Sequence, residues 1–164
     1  MLRIIVIAAA MLFGATTASA AERITGHACV QSGNILEIPC GSATRIRLYG
    51  IDAPEPAQIC TLPSGTLYDC GEIAASVLRD LIDKSQPVCQ VLGQDFYQRP
   101  VAICRVGKLN LNAELVRRGW ALAYRDTKAY AALEVEAKTA KRGLWAGQFD
   151  EPRKWRHATT GKEE

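Results

Sequence analysis

The chain has 164 residues, 48% hydrophobic and 23% charged, a balance that excludes a disordered polar chain or a fibrous repeat. Its 20 lysines and arginines against 17 aspartates and glutamates leave a formal net charge of +3. That is too little for a protein that coats nucleic acid by charge alone, so contact with a polyanion has to rest on a local cluster of basic side chains.

Met1 to Ala20 reads as a secretory signal peptide: Arg3, an apolar run from Ile4 to Phe13, and small residues ending in Ala18-Ser19-Ala20. The apolar run is far shorter than the roughly 20 residues of a spanning helix. A mature, soluble protein is therefore expected from about Ala21, in the periplasm or secreted, with no membrane association after cleavage. What remains suits one domain, expected over 21–157, with a polar, frayed tail at 158–164. All six cysteines follow the signal segment, and an oxidising compartment lets disulfides persist. Six cysteines allow several connectivities; the nearest-neighbour set Cys29–Cys40, Cys60–Cys70 and Cys89–Cys104 is expected, because each pair brackets a turn containing Gly or Pro. Without Cys-x-x-Cys, and with only His27 and His157 as histidines, a zinc site is disfavoured.

In chain order, Arg23 to Val30 and Asn34 to Ile38 flank Gln31-Ser32-Gly33 as a hairpin, followed by a strand from Arg45 to Ile51. Pro56 to Gly71 reads as a loop. Glu72 to Lys84 puts Ile73, Val77, Leu78, Leu81 and Ile82 at helical spacing, with Arg79, Asp80 and Asp83 facing water. Pro87 to Leu92 and Val101 to Val106 are two more strands, joined by a polar connection carrying Asp95, Tyr97 and Arg99. Asn112 is expected to cap a helix ending at Gly119, and Asp126 a third helix reaching Arg142, with Tyr130, Leu133, Val135 and Ala137 as its apolar surface. Leu144, Trp145, Phe149 and Trp155 are expected to pack back on the body. Five short strands with a helix after the third give a mainly β, α+β architecture: a five-stranded OB-fold barrel with three helices.

The chemistry concentrates in Thr44 to Glu55. Ile46 and Leu48 alternate with Arg45, Arg47 and Tyr49, as in a half-buried strand, and Gly50 then loosens it before Asp52-Ala53-Pro54-Glu55. On a continuous strand Arg47 and Asp52 would point to opposite faces, so the turn has to re-aim the aspartate. Two carboxylates and two guanidiniums there suit a cation and a phosphate; Asp-Ala-Pro is also ordinary turn chemistry.

Arg47-Leu-Tyr-Gly-Ile-Asp-Ala-Pro-Glu55, Asp95-x-Tyr97-x-Arg99, Leu115-Val-Arg-Arg-Gly119-Trp and Gly143-Leu-Trp145 resemble segments of the staphylococcal nuclease (thermonuclease) family, over about Ile24 to Trp155. The resemblance implies a calcium-assisted hydrolase of phosphodiester bonds, an endonuclease acting on DNA and RNA; a monomer is expected. It implies Asp52, the Ala53 carbonyl and the residue at Asn34 as calcium ligands. Glu55 would orient or deprotonate the attacking water, and Arg47 and Arg99 would stabilise the phosphoryl charge. Tyr97 and Tyr124 would lie against the nucleotide. Arg117, Arg118 and Arg125 read as solvated faces.

One departure stands out. Where the family usually reads Asp-Gly-Asp-Thr, this chain has Ser32-Gly33-Asn34-Ile35, and Ala53 replaces a threonine. An amide oxygen can ligate calcium but brings no charge, so a weakened metal site and reduced activity are expected. The alternative is a catalytically impaired module that binds an oligonucleotide, another anion or a protein partner.

Overall fold

The structure is a computed structural model describing residues 22–124 and 128–161. The expected signal peptide, Arg125 and the expected cap Asp126 lie outside the described residues. The opening strand divides in two: β1 (Arg23–Thr25) and β2 (Cys29–Ser32), separated at Gly26, whose φ is +149°. Only β2 pairs with β3 (Ile35–Glu37), and β3 in turn pairs with β4 (Arg45–Leu48). Beyond a tight turn lies β5 (Ile51–Asp52). The expected loop from Pro56 to Gly71 contains a small hairpin of its own, β6 (Cys60–Thr61) with β7 (Leu67–Tyr68).

Helix α1 (Cys70–Ile82) starts two residues before the expected Glu72. It buries Ala74, Leu78, Leu81 and Ile82, while Ile73 is exposed. Strands β8 (Val88–Gln94) and β9 (Pro100–Val106) form the longest ladder, and β10 (Leu109–Asn110) folds back on β9. Then come α2 (Leu111–Arg117), β11 (Leu122–Ala123), paired with β5, and α3 (Lys128–Thr139). A 3-10 turn covers Gly143–Ala146, and a fourth helix, α4 (Pro152–Thr160), follows. Periodicity did not signal α4, because Arg153, Lys154, Arg156 and His157 interrupt any apolar stripe. It runs into the segment read from the sequence as a tail.

The main sheet runs β1-β8-β9-β4-β3-β2, and its curl gives the half-barrel of an OB-like fold. β4 and β9 lie parallel and the other ladders antiparallel. Leu36, Ile46, Leu48, Ala102 and Cys104, on inward-facing positions of the sheet, meet Leu78, Leu111, Leu115 and Val116 from the helices in one core. In α3, Tyr130 and Ala137 are buried, but Val135 is 62% exposed and belongs to the outer face. A smaller cluster of Cys60, Cys70 and Leu144 takes in Phe149, which meets Trp145 edge-on at 4.9 Å.

The disulfides are Cys29–Cys40, Cys60–Cys70 and Cys89–Cys104, with no free cysteine among the described residues. Asn112 is not the cap of α2. Asn110 is, accepting from the Ala113 N–H at 3.2 Å. Asn112 is fully buried instead. Its Oδ1 accepts from the Cys104 amide, and its Nδ2 donates to the Tyr49 and Ala102 carbonyls, tying α2 to β9 and to the turn after β4. A single pattern of Asn before a helix fits both residues; burial decides which of them caps.

Candidate active site

The turn Tyr49-Gly50 carries out the re-aiming that the sequence requires. Gly50 has φ +72°, a left-handed conformation open to glycine at little cost, and β5 then leaves β4 to pair with β11. The Tyr124 N–H seals this turn on the Gly50 carbonyl at 2.9 Å. As a result Asp52 points back at Arg47, with Oδ1 3.5 Å from the guanidinium. Arg47 is in turn 5.5 Å from the centroid of the Tyr124 ring.

Arg99 reaches the same end of the barrel from the start of β9. The register Arg47↔Val101 puts residue 99 on the same face as Arg47, one pleat away. The β8–β9 connection is organised by Asp95. One of its carboxylate oxygens accepts from the Tyr97 and Arg99 amides, and the other from Arg99 Nε at 2.7 Å. This charge-assisted clamp fixes the guanidinium, which is 5.1 Å from the Tyr97 ring centroid. Tyr97 is 47% exposed and Phe96, edge-on to it, 91% exposed.

A cleft of about 1000 Å³ opens beside the Asp95 clamp; Arg45, Glu55, Tyr97, Arg99, Trp155 and Arg156 are among its lining residues, and Arg47, Asp52 and Tyr124 are not. Glu55 is held at its backbone. Its amide donates to the side chain of Gln58, a fully buried residue, at 3.3 Å, and its carbonyl lies so close to Gly71 of α1 that a methyl group there would overlap it. The Gln58 amide also donates to the Asp150 carbonyl at 2.7 Å, which draws the start of α4 onto the same loop.

Sequence reasoning missed the residue that completes the cluster. Arg156 of α4 grips Asp52 with both nitrogens of its fork, at 3.1 and 3.0 Å, and Glu55 Oε1 at 2.9 Å. Burial of this guanidinium acts to lower its pKa, but hydrogen bonds and charge from Asp52 and Glu55 outweigh it and hold the pKa above the ordinary arginine range. The only hint in the sequence was an arginine in the otherwise unassigned segment between Trp155 and His157.

The expected calcium ligands fare differently. Asn34 is 5% exposed and its Oδ1 accepts from Ser32 Oγ at 3.1 Å. Ala53 is buried. Both oxygens of Asp52 are engaged by Arg156. Among the described residues no group of three His, Cys, Asp or Glu side chains could hold a metal ion. The guanidiniums of Arg156 and Arg47 already occupy the positions beside the aspartate that a dication would need, and like charge there opposes its entry. With Arg156 in place, this donor set does not fit calcium.

Residues 45–147 match the family described as Staphylococcal nuclease homologue. Succinoglycan biosynthesis protein ExoI of Rhizobium meliloti is 37% identical over 136 residues, covering 80% of this chain and 69% of the relative. An "uncharacterized endonuclease" of Haemophilus influenzae is 30% identical over 78% of this chain and 65% of its own length. Probable endonuclease LCL3 of Schizophyllum commune is 30% identical over 62% of this chain and 40% of its own. Thus the chain spans about two thirds of the first two relatives and two fifths of the third. The matched segment covers β4 to β11, Arg47, Arg99 and the Asp52–Glu55 turn, and the chain belongs to the staphylococcal nuclease homologue family.

Proposed function

We propose that this protein is a nuclease that hydrolyses phosphodiester bonds of DNA and RNA in the cleft between the β8–β9 turn and the Asp52–Glu55 turn, as an exported single-domain monomer. The observation that carries this reading is the meeting of Glu55, Tyr97 and a clamped Arg99 in one open cleft. Arg99 and Arg47 take the phosphate oxygens, a task for planar, permanently charged forks. Tyr97, and in part Tyr124, lies against sugar or base. Glu55, whose side chain is 32% exposed, accepts a proton from a water molecule. The water oxygen forms a bond to phosphorus, one ester P–O bond breaks, and the departing alkoxide is protonated from solvent. Calcium is left out of this reading because Asp52 and Glu55 are engaged by Arg156. Export is supported by three disulfides, and among the described residues no helix is long and apolar enough to cross a membrane.

A second reading, a nuclease-like module that holds an oligonucleotide or another anion without cutting it, is favoured by one contact: Arg156 on Glu55 Oε1. Incubating the purified protein with single-stranded DNA and with RNA, in calcium and in chelator, beside Glu55→Ala and Arg99→Ala, separates the two. Cleavage abolished in Glu55→Ala, and lowered about a hundredfold or more in Arg99→Ala, is the expected result. Binding with no cleavage in any condition would establish the second reading instead.

A further inference from the structure

We propose that Arg156 is the resident cation of this site, standing between Asp52 and Glu55 in the place of a divalent metal, so that the site is complete without one. The first support is charge balance. Two carboxylates, Asp52 and Glu55, face two guanidiniums, Arg47 and Arg156, so that the charges of these four described residues cancel. Asn34, on the neighbouring hairpin, adds no charge, and its amide oxygen accepts from Ser32 Oγ.

The second support is the way Arg156 is held. Its side chain is 10% exposed and that of Asp52 6%, and the fork takes both oxygens of one carboxylate, the geometry in which a guanidinium is most selective. α4 is not a loose strap. Pro152 at its first turn is buried, the Asp150 carbonyl just before it accepts from the buried Gln58, and the same Gln58 receives the Glu55 amide. One side chain thus fixes the helix that supplies the cation and the loop that supplies the carboxylate.

This inference concerns the site assigned above, but its test does not depend on that site cutting anything. Calcium chloride is titrated into the wild-type protein and Arg156→Gln, followed by calorimetry and by the shift in Tm, since a ligand of the folded state raises Tm. The wild type is expected to show neither heat of binding nor Tm shift up to millimolar calcium. Arg156→Gln is expected to melt lower in chelator and to gain stability in calcium, with affinity at least about tenfold above wild type, in the range of weak oxygen-ligand sites. Calcium that stabilises the wild type, with the effect lost in Asp52→Asn, would overturn the proposal. So would an Arg156→Gln variant that folds and still ignores calcium. If Arg156→Gln does not fold, Arg156→Lys, which keeps the cation without the fork, takes its place and is expected to be as indifferent to calcium as the wild type; a calcium-dependent rise in its Tm would overturn the proposal. Loss of cleavage with these calcium results intact would count against the nuclease reading alone.

Discussion

Arg156 meets Asp52 with a two-pronged contact at 3.0 and 3.1 Å across 104 positions of sequence. Both side chains are almost fully withdrawn from water, so removing Arg156 takes from Asp52 its two-pronged partner and leaves Arg47, at 3.5 Å, to face a buried carboxylate. For Arg156→Ala we expect a loss of about 3–5 kcal/mol, the range for breaking a buried ion pair from one side. Urea unfolding of the two proteins at one pH measures it. A loss under about 1 kcal/mol would mean that the pair is solvated like a surface bridge.

Gly71 should be intolerant of a side chain for a reason that concerns the site. A methyl there overlaps the carbonyl of Glu55, and the loop bearing the carboxylate is the part able to move. Gly71→Ala is expected to lower turnover about a hundredfold through misplacement of Glu55, while costing about 1–3 kcal/mol of stability. Gly93→Ala, where nothing lies within 4 Å, is the control and should leave turnover unchanged. Equal activity in both variants would show that the Glu55 loop relaxes freely.

The Cys60–Cys70 disulfide closes a short segment and fixes the first residue of α1 directly before Gly71. Replacing both cysteines by serine is expected to cost about 3 kcal/mol, mostly by releasing the unfolded chain. Calorimetric melting of the double variant checks it.

Alkaline stability should depend on Tyr130. Burial pushes its phenol above the ordinary value of 10.0, with a hydrogen bond to Asn110 and the charge of Arg105 pulling the other way. Its proton is held more tightly in the folded than in the unfolded state, so this stabilisation is complete below pH 10 and falls as pH rises towards the higher folded value. Tyr130→Phe should flatten that part of the decline. Urea midpoints between about pH 9 and pH 11 compare the slopes; parallel curves would remove Tyr130 from the account.

The parts of the site that were legible in sequence are those whose causes are local. Alternation through Ile46 and Leu48 marks a strand, and Gly50 marks the place where it must turn for Asp52 to reach Arg47; both follow from neighbouring residues. The division of the first strand at Gly26, and the outward set of Ile73 and Val135, depend on what packs against each segment. Periodicity alone does not reveal that. Asn110 and Asn112 are alike in type and two apart, and only the position of β9 decides which caps and which is buried. Arg156 lies further still from local signals. Its partners sit on a turn about a hundred residues earlier, and its helix, rich in charge and poor in apolar spacing, looks like a solvated end until the cleft it closes is known.

The three disulfides follow one another along the chain without overlap: 29 with 40, 60 with 70, 89 with 104. Each cysteine therefore finds its partner before the next pair begins. A chain that meets an oxidant from its N-terminal end onward reaches the native set by joining every cysteine to the one before it, and no bond need be broken and remade. Thiol shuffling, the slow step of many crosslinked proteins, is not required by this order of pairing.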